Sequence, residues 1–114
     1  MEFTKEEIEK VKNDNPGKTL FKARVRYLND MKQEVTLDFI YAKPSVLDME
    51  AHNKAQAKSS FTAQLNLLRS LIVYPAADDI IKALTDYPIV VANFVNEELV
   101  PFFGTVVETT SSQI

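Results

Sequence analysis

Two stretches of the sequence alternate between apolar and polar side chains, and this alternation is the strongest constraint on the fold. The apolar positions of the first stretch are Thr19, Phe21, Ala23, Val25 and Tyr27. Those of the second are Val35, Leu37, Phe39 and Tyr41. A period of two is typical of a half-buried strand, and the short polar connection at Asn29-Asp30 predicts an antiparallel hairpin. Because a lone hairpin is only marginally stable, its apolar face must pack against the rest of the chain.

Helices are predicted on both sides of the hairpin. Thr4 and Glu7 have the spacing of a capping box and predict a short helix before the loop at 13–17. Ser45 and Asp48 repeat that spacing and predict a second helix, in which good helix formers continue to residue 58.

A third helix is predicted over residues 60–73, where a wide apolar stripe recurs at helical spacing. Its members are Phe61, Leu65, Leu67, Leu68, Leu71, Ile72 and Tyr74. Pro75 is expected to stop this helix and to open the next, which carries Asp78 and Asp79 in its first turn. Pro88 opens the last helix in the same way, and Pro101 should end or kink it near Val100.

The predicted fold class is therefore α+β: a short N-terminal helix, an antiparallel hairpin and then about four helices. With 114 residues the chain is long enough for one domain. We divide this domain into helix plus hairpin at 1–44, a helical part at 45–104 and a frayed tail at 105–114.

Composition excludes several kinds of site. The chain has no cysteine, so disulfides, thiolate metal centres and cysteine nucleophiles are ruled out. A single histidine, His52, argues against histidine metal sites and triads, and we expect it to be a partly exposed helix residue. The adjacent acids Asp78-Asp79 and Glu97-Glu98 diverge around a helix rather than converge on one point. We predict no catalytic, cofactor-binding or metal-binding residue, and hence not an enzyme.

Charge also argues against a nucleic-acid partner. The formal net charge is −3, and residues 59–114 contain only two basic groups, Arg69 and Lys82. The basic strip Lys22, Arg24 and Arg26 is interpreted as a solvated strand face. The acidic N-terminus lacks the apolar core of a secretory signal, and no apolar run is long enough to cross a bilayer. We therefore expect a cytoplasmic protein with no membrane partner.

Large apolar residues are unusually dense between Ile89 and Phe103, where they occupy most of the helix circumference. Such a helix is either central to the core or shared with a partner. On the second interpretation, the partner-binding residues are Ile89, Val90, Phe94, Leu99, Val100, Phe102 and Phe103.

The order of features from residue 39 to residue 104 resembles the tail assembly chaperones of long-tailed phages and prophages. The resemblance rests on an aromatic strand end at Phe39–Ser45, a helix closing on Leu67–Pro75, an acidic-start helix at Asp78–Leu84, and a Tyr87-Pro88 break before the apolar helix. It implies a non-enzymatic protein that binds and solubilises the tape-measure protein during tail assembly, recruits tail tube protein, self-associates, and is absent from the mature virion.

Two alternatives stay open at this level. The chain could be a small structural or adaptor protein of a phage or mobile element, retained in the particle. A small enzyme or ligand-binding domain would instead need a concave pocket with polar groups converging around His52 or the acids.

Overall fold

A computed structural model of the protein describes residues 3–104 and 107–114. Residues 1–2 of the predicted N-terminal region and 105–106 of the predicted tail lie outside the described residues. The fold is α+β, as predicted. Its elements are α1 (Lys5–Asp14), β1 (Leu20–Leu28), β2 (Glu34–Ala42), α2 (Val46–Gln56), α3 (Ser60–Leu71), β3 (Ile72–Tyr74), α4 (Ala77–Leu84), α5 (Pro88–Phe94), a π-helical segment (Val95–Leu99) and a 3-10 helix (Val100–Phe103).

The predicted hairpin is confirmed. Strands β1 and β2 pair antiparallel over their full lengths, from Leu20 opposite Ala42 to Leu28 opposite Glu34. The alternation also sets the two faces, because exposed and half-buried residues alternate along β1. On the outer face Arg24 Nε donates to Asp38 Oδ1 at 2.8 Å and Arg26 Nε donates to Glu34 Oε1 at 2.8 Å.

The structure contains a third strand, in residues that the apolar pattern assigned to the end of a helix. Helix α3 ends at Leu71, and Ile72–Tyr74 form β3 beside β2, with Tyr41 opposite Ile72. The predicted helical end at residue 73 is therefore wrong. Proline disfavours the α region at the residue before it, so Tyr74 is extended, and the extended residues pair with the edge of β2. Pro75 does not open α4 either, because that helix begins at Ala77 with Ala76 as its N-cap.

The apolar face of the sheet is covered along its length, and the outer face only near β3. The helical part packs on the apolar face, where Phe39, Leu68, Leu84 and Leu99 are fully buried. Helix α1 lies against the other face near β3, where it buries Val11 and lines a groove with Leu20 and Ile40. The predicted capping boxes at Thr4–Glu7 and Ser45–Asp48 are both present.

A hydrogen bond links α1 to the edge of the sheet. The Tyr74 hydroxyl donates to Glu7 Oε2 at 2.5 Å. This bond lowers the pKa of the Glu7 carboxyl and raises the pKa of the Tyr74 hydroxyl. The short first helix is thus tied to β3 by a side-chain bond between residues far apart in sequence.

The Arg24–Asp38 pair should make stability depend on pH. The hydrogen bond from Arg24 lowers the pKa of Asp38, so its contribution is fully present above the unfolded value of about 3.9 and is lost as the pH falls through the lowered folded value. Asp38→Asn should cost only roughly 0.5 kcal/mol at pH 6, since the pair is partly solvated. Urea unfolding at pH 6 and pH 3 measures this, and an unchanged difference between wild type and variant would contradict it.

Candidate partner-binding site

The apolar segment at residues 88–103 runs along the sheet antiparallel to β1. At its start the rings of Tyr27 and Tyr87 lie 5.0 Å apart, and at its end those of Phe21 and Phe102 lie 5.0 Å apart. Pro88 occupies the first turn of α5, as predicted. The segment therefore borders β1 along most of the strand's length.

The α-helical geometry ends earlier than Pro101 led us to expect near Val100. The chain changes to a π-helix at Val95, where the Val100 N–H donates to the Val95 carbonyl. Pro101 has no N–H and its ring would clash with the carbonyl four residues back, and the wider turn avoids both problems. It also turns Glu97 and Glu98 outward while Val95 and Leu99 remain buried.

The structure divides the seven predicted partner-binding residues into three groups. Phe94 and Leu99 are buried in the core, where the Phe94 ring contacts those of Phe39 and Tyr41 with centroids 5.4 and 5.7 Å away. Val90 and Phe102 are half-buried. Ile89, Val100 and Phe103 are exposed, by 83%, 38% and 41% respectively.

The exposed residues form two separate surfaces. Val100 and Phe103 stand three residues apart in a 3-10 helix, so their side chains share one face. We call them the apolar pair. Ile89 lies in the first turn of α5, on the order of 16 Å away along the helix axis. One side of the segment thus fills the core and the other faces solvent, and the partner-binding interpretation of the exposed residues stays a prediction.

A groove that the sequence did not predict lies beside this segment. It has a volume of about 260 Å³ and lies between β1 and the segment at residues 88–103. We call it the β1–α5 groove, and its lining residues are Arg24, Val25, Arg26, Tyr27, Val90, Asn93, Phe94, Glu97 and Glu98. No local pattern signals it, since it depends on which edge of the sheet the last helix follows.

His52 is buried rather than partly exposed, so that expectation is wrong. Helix α2 turns it toward α3, where His52 Nδ1 lies 3.3 Å from the Ala63 carbonyl oxygen. Asp48 and Ser70 line the same shallow groove, but Asp48 accepts the capping bond of Ser45 and Ser70 donates to the Leu67 carbonyl at 2.7 Å. Asp48 and Ser70 thus bond to their own local structure rather than to His52.

The described residues contain no group of three or more histidine, aspartate or glutamate side chains that could hold a metal ion. Within the same residues, no helix has the length and apolar character needed to cross a membrane.

Burial, with a smaller effect of the Glu98 charge, raises the pKa of Tyr41, which lies beneath the segment at residues 88–103.

The family model for a domain of unknown function, DUF6848, matches residues 4–112. The chain belongs to this family. The match spans the hairpin, the helical part and most of the tail, so all the features described above fall inside the family's domain.

A similar fold occurs in a solved structure, that of the uncharacterised protein rbstp2171 from Bacillus stearothermophilus. The two share 19% sequence identity and superpose with a TM-score of 0.63 over 92% of this chain and 99% of the other. At this identity the likeness shows the fold alone. No curated protein matches the chain.

Proposed function

We propose that this protein is a non-enzymatic tail assembly chaperone of a long-tailed phage or prophage, which binds the tape-measure protein and keeps it soluble while the tail is built. The observation that carries the proposal is the exposed apolar pair, Val100 and Phe103, at the end of a helix whose other side fills the core. These two side chains expose apolar surface on the same face of the 3-10 helix. Their exposure supports a surface for another polypeptide.

The residues next to the proposed partner surface anchor it to the core. Phe102, next to the apolar pair, packs on Phe21 of β1, and Leu99 just before it is fully buried. The pair is therefore presented by an anchored turn rather than by a loose end. A preorganised apolar surface binds a helix at lower entropic cost than a mobile one.

The proposal also covers location and partners. The protein acts in the host cytoplasm, meets tail tube protein as the tube polymerises around the tape measure, and is absent from the mature virion. The resemblance of residues 39–104 to tail assembly chaperones supports this part. Mass spectrometry of purified particles separates it from the structural or adaptor alternative, in which the protein would be retained.

Co-expression tests the proposed surface. The wild-type protein should increase the soluble fraction of a tape-measure protein that is co-expressed with it. Phe103→Asp should remove most of this gain, because a carboxylate placed in an apolar contact must be desolvated. Gel densitometry of soluble and pelleted fractions gives the result.

The matched control is Leu28→Asp. Leu28 is exposed by 63% at the far end of β1 and lies outside the proposed surface. It should leave the gain intact. Equal loss in both variants, or no gain with the wild-type protein, would contradict the proposal.

A further inference from the structure

The outer edge of β1 is open along the β1–α5 groove. The sheet order is β1-β2-β3, so β1 is an edge strand, and no other strand of the described residues pairs with it. Nine residues make this a long edge. An unpaired edge is a template on which an extended chain can add by backbone hydrogen bonds.

The alternation of hydrogen-bonded and non-hydrogen-bonded pairs along the hairpin shows which backbone groups of β1 face this edge. Lys43 N donates to the Thr19 carbonyl and Asn29 N donates to the Gln33 carbonyl, so odd-numbered residues of β1 bond to β2. The backbone groups of Lys22 and Arg26 therefore point outward. Consistent with this, Arg26 lines the groove although its side chain lies on the opposite face of the sheet.

Charge disfavours the simplest occupant, a second β1 strand. The residues that would face each other across such a pairing are Lys22, Arg24 and Arg26 of each copy. Like charges directly opposite each other destabilise a strand pair. Since Arg24 and Arg26 bond to Asp38 and Glu34 within the sheet, the edge favours an incoming strand with an acidic side chain beside Lys22.

The chain contains a segment with this chemistry. Residues 107–114 form no helix or strand and are exposed throughout, with Val107 at 96%. The segment is rich in β-branched residues, and Glu108 is its only charged side chain. In a strand, Val107 and Thr109 share the face opposite to Glu108.

We propose that segment 107–114 of a second copy adds to β1 as a fourth strand in the β1–α5 groove. Glu108 of that copy then lies beside Lys22 on the outer face of the sheet, and its Val107 and Thr109 lie on the opposite face, toward Phe21 and Ala23. A reciprocal exchange between two copies closes as a two-fold dimer. This interface is distinct from the apolar pair, so it can fail without affecting the proposed chaperone function.

Analytical ultracentrifugation over a concentration series tests the dimer. The double variant Thr109→Pro/Thr110→Pro should weaken dimerisation by about tenfold or more, because one of any two adjacent residues in the added strand must donate its N–H to β1. The matched control is Thr109→Ala/Thr110→Ala, which keeps both donors and should dimerise nearly as well as wild type.

Amide hydrogen exchange identifies the edge. The amides of Lys22 and Arg26 should gain protection as the concentration rises, and the double proline variant should abolish this gain. A charge exchange adds a further check: Lys22→Glu and Glu108→Lys should each weaken the dimer, and their combination should restore it.

Each other result would overturn the proposal. A monomer at every concentration, with both amides unprotected, would show that no strand pairs with the edge of β1. A dimer that survives the proline variant uses another surface. Protection that is independent of concentration but lost in the proline variant places the segment on its own chain, and protection that appears only with a foreign protein makes that protein the occupant.

Discussion

Phe94→Asp is expected to abolish folding. The Phe94 side chain is 8% exposed and its ring packs edge-on against Phe39 and Tyr41, so the substitution removes a core ring and buries a carboxylate. Loss of a core phenylalanine alone costs about 3–5 kcal/mol, and the unpaired charge adds to this. Since small domains are stable by about 5–15 kcal/mol, most of the native stability would be lost. Far-UV circular dichroism and urea titration measure the effect.

The matched control is Phe103→Asp, which places the same charge on an exposed ring of the same segment. It should change the free energy of unfolding by no more than about 1 kcal/mol while removing partner binding. Together the two variants separate packing from recognition within ten residues of sequence. A Phe94→Asp protein that melts like the wild type would contradict the assignment of this ring to the core.

His52→Ala should destabilise the protein by roughly 1–3 kcal/mol. His52 is the one buried residue of α2, and its Nδ1 lies within hydrogen-bond distance of the Ala63 carbonyl on α3. Removing the ring loosens α2 from α3 and leaves that carbonyl without its side-chain partner. Urea unfolding at pH 7 gives the change in free energy, and amide exchange across α2 should increase more than exchange in the hairpin.

His52→Asn is the control, because its amide can donate from nearly the same position as Nδ1. It should recover part of the lost stability. Under conditions where His52→Ala is still folded, we expect binding of the tape-measure protein to be unchanged. A large loss of function in the folded variant would point instead to a ligand or catalytic role for the groove around His52.

Local pattern predicted the hairpin because more exposed and more buried residues alternate along β1 and along the first half of β2. The same pattern failed at Ile72–Tyr74, where three apolar residues fit equally well into the end of a helix or into a strand buried by pairing. The strand forms because these residues can pair with the free edge of β2, which lies much earlier in the sequence. The capping boxes succeeded because both partners lie within four residues of each other.

The candidate site was predicted only as a segment. The density of apolar residues pointed to the stretch from Ile89 to Phe103, but not to the members that face solvent. The π-helical turn at Val95–Leu99 shifts the register of everything after it, so a regular helical wheel cannot place Leu99 or Phe102. The burial of His52 was not predicted either, because the thin apolar stripe of α2 does not indicate that the histidine is the buried residue of this helix.

Strand β3 has a consequence for the order in which the molecule folds. Tyr41 and Ile72 pair across a span of about thirty residues, which contains all of α2 and α3. The hairpin needs only the closure of a short turn, whereas this second pairing carries the entropic cost of a long loop. We expect the two-stranded unit to form early and the sheet to be completed only after the intervening helices have shortened the distance between its ends.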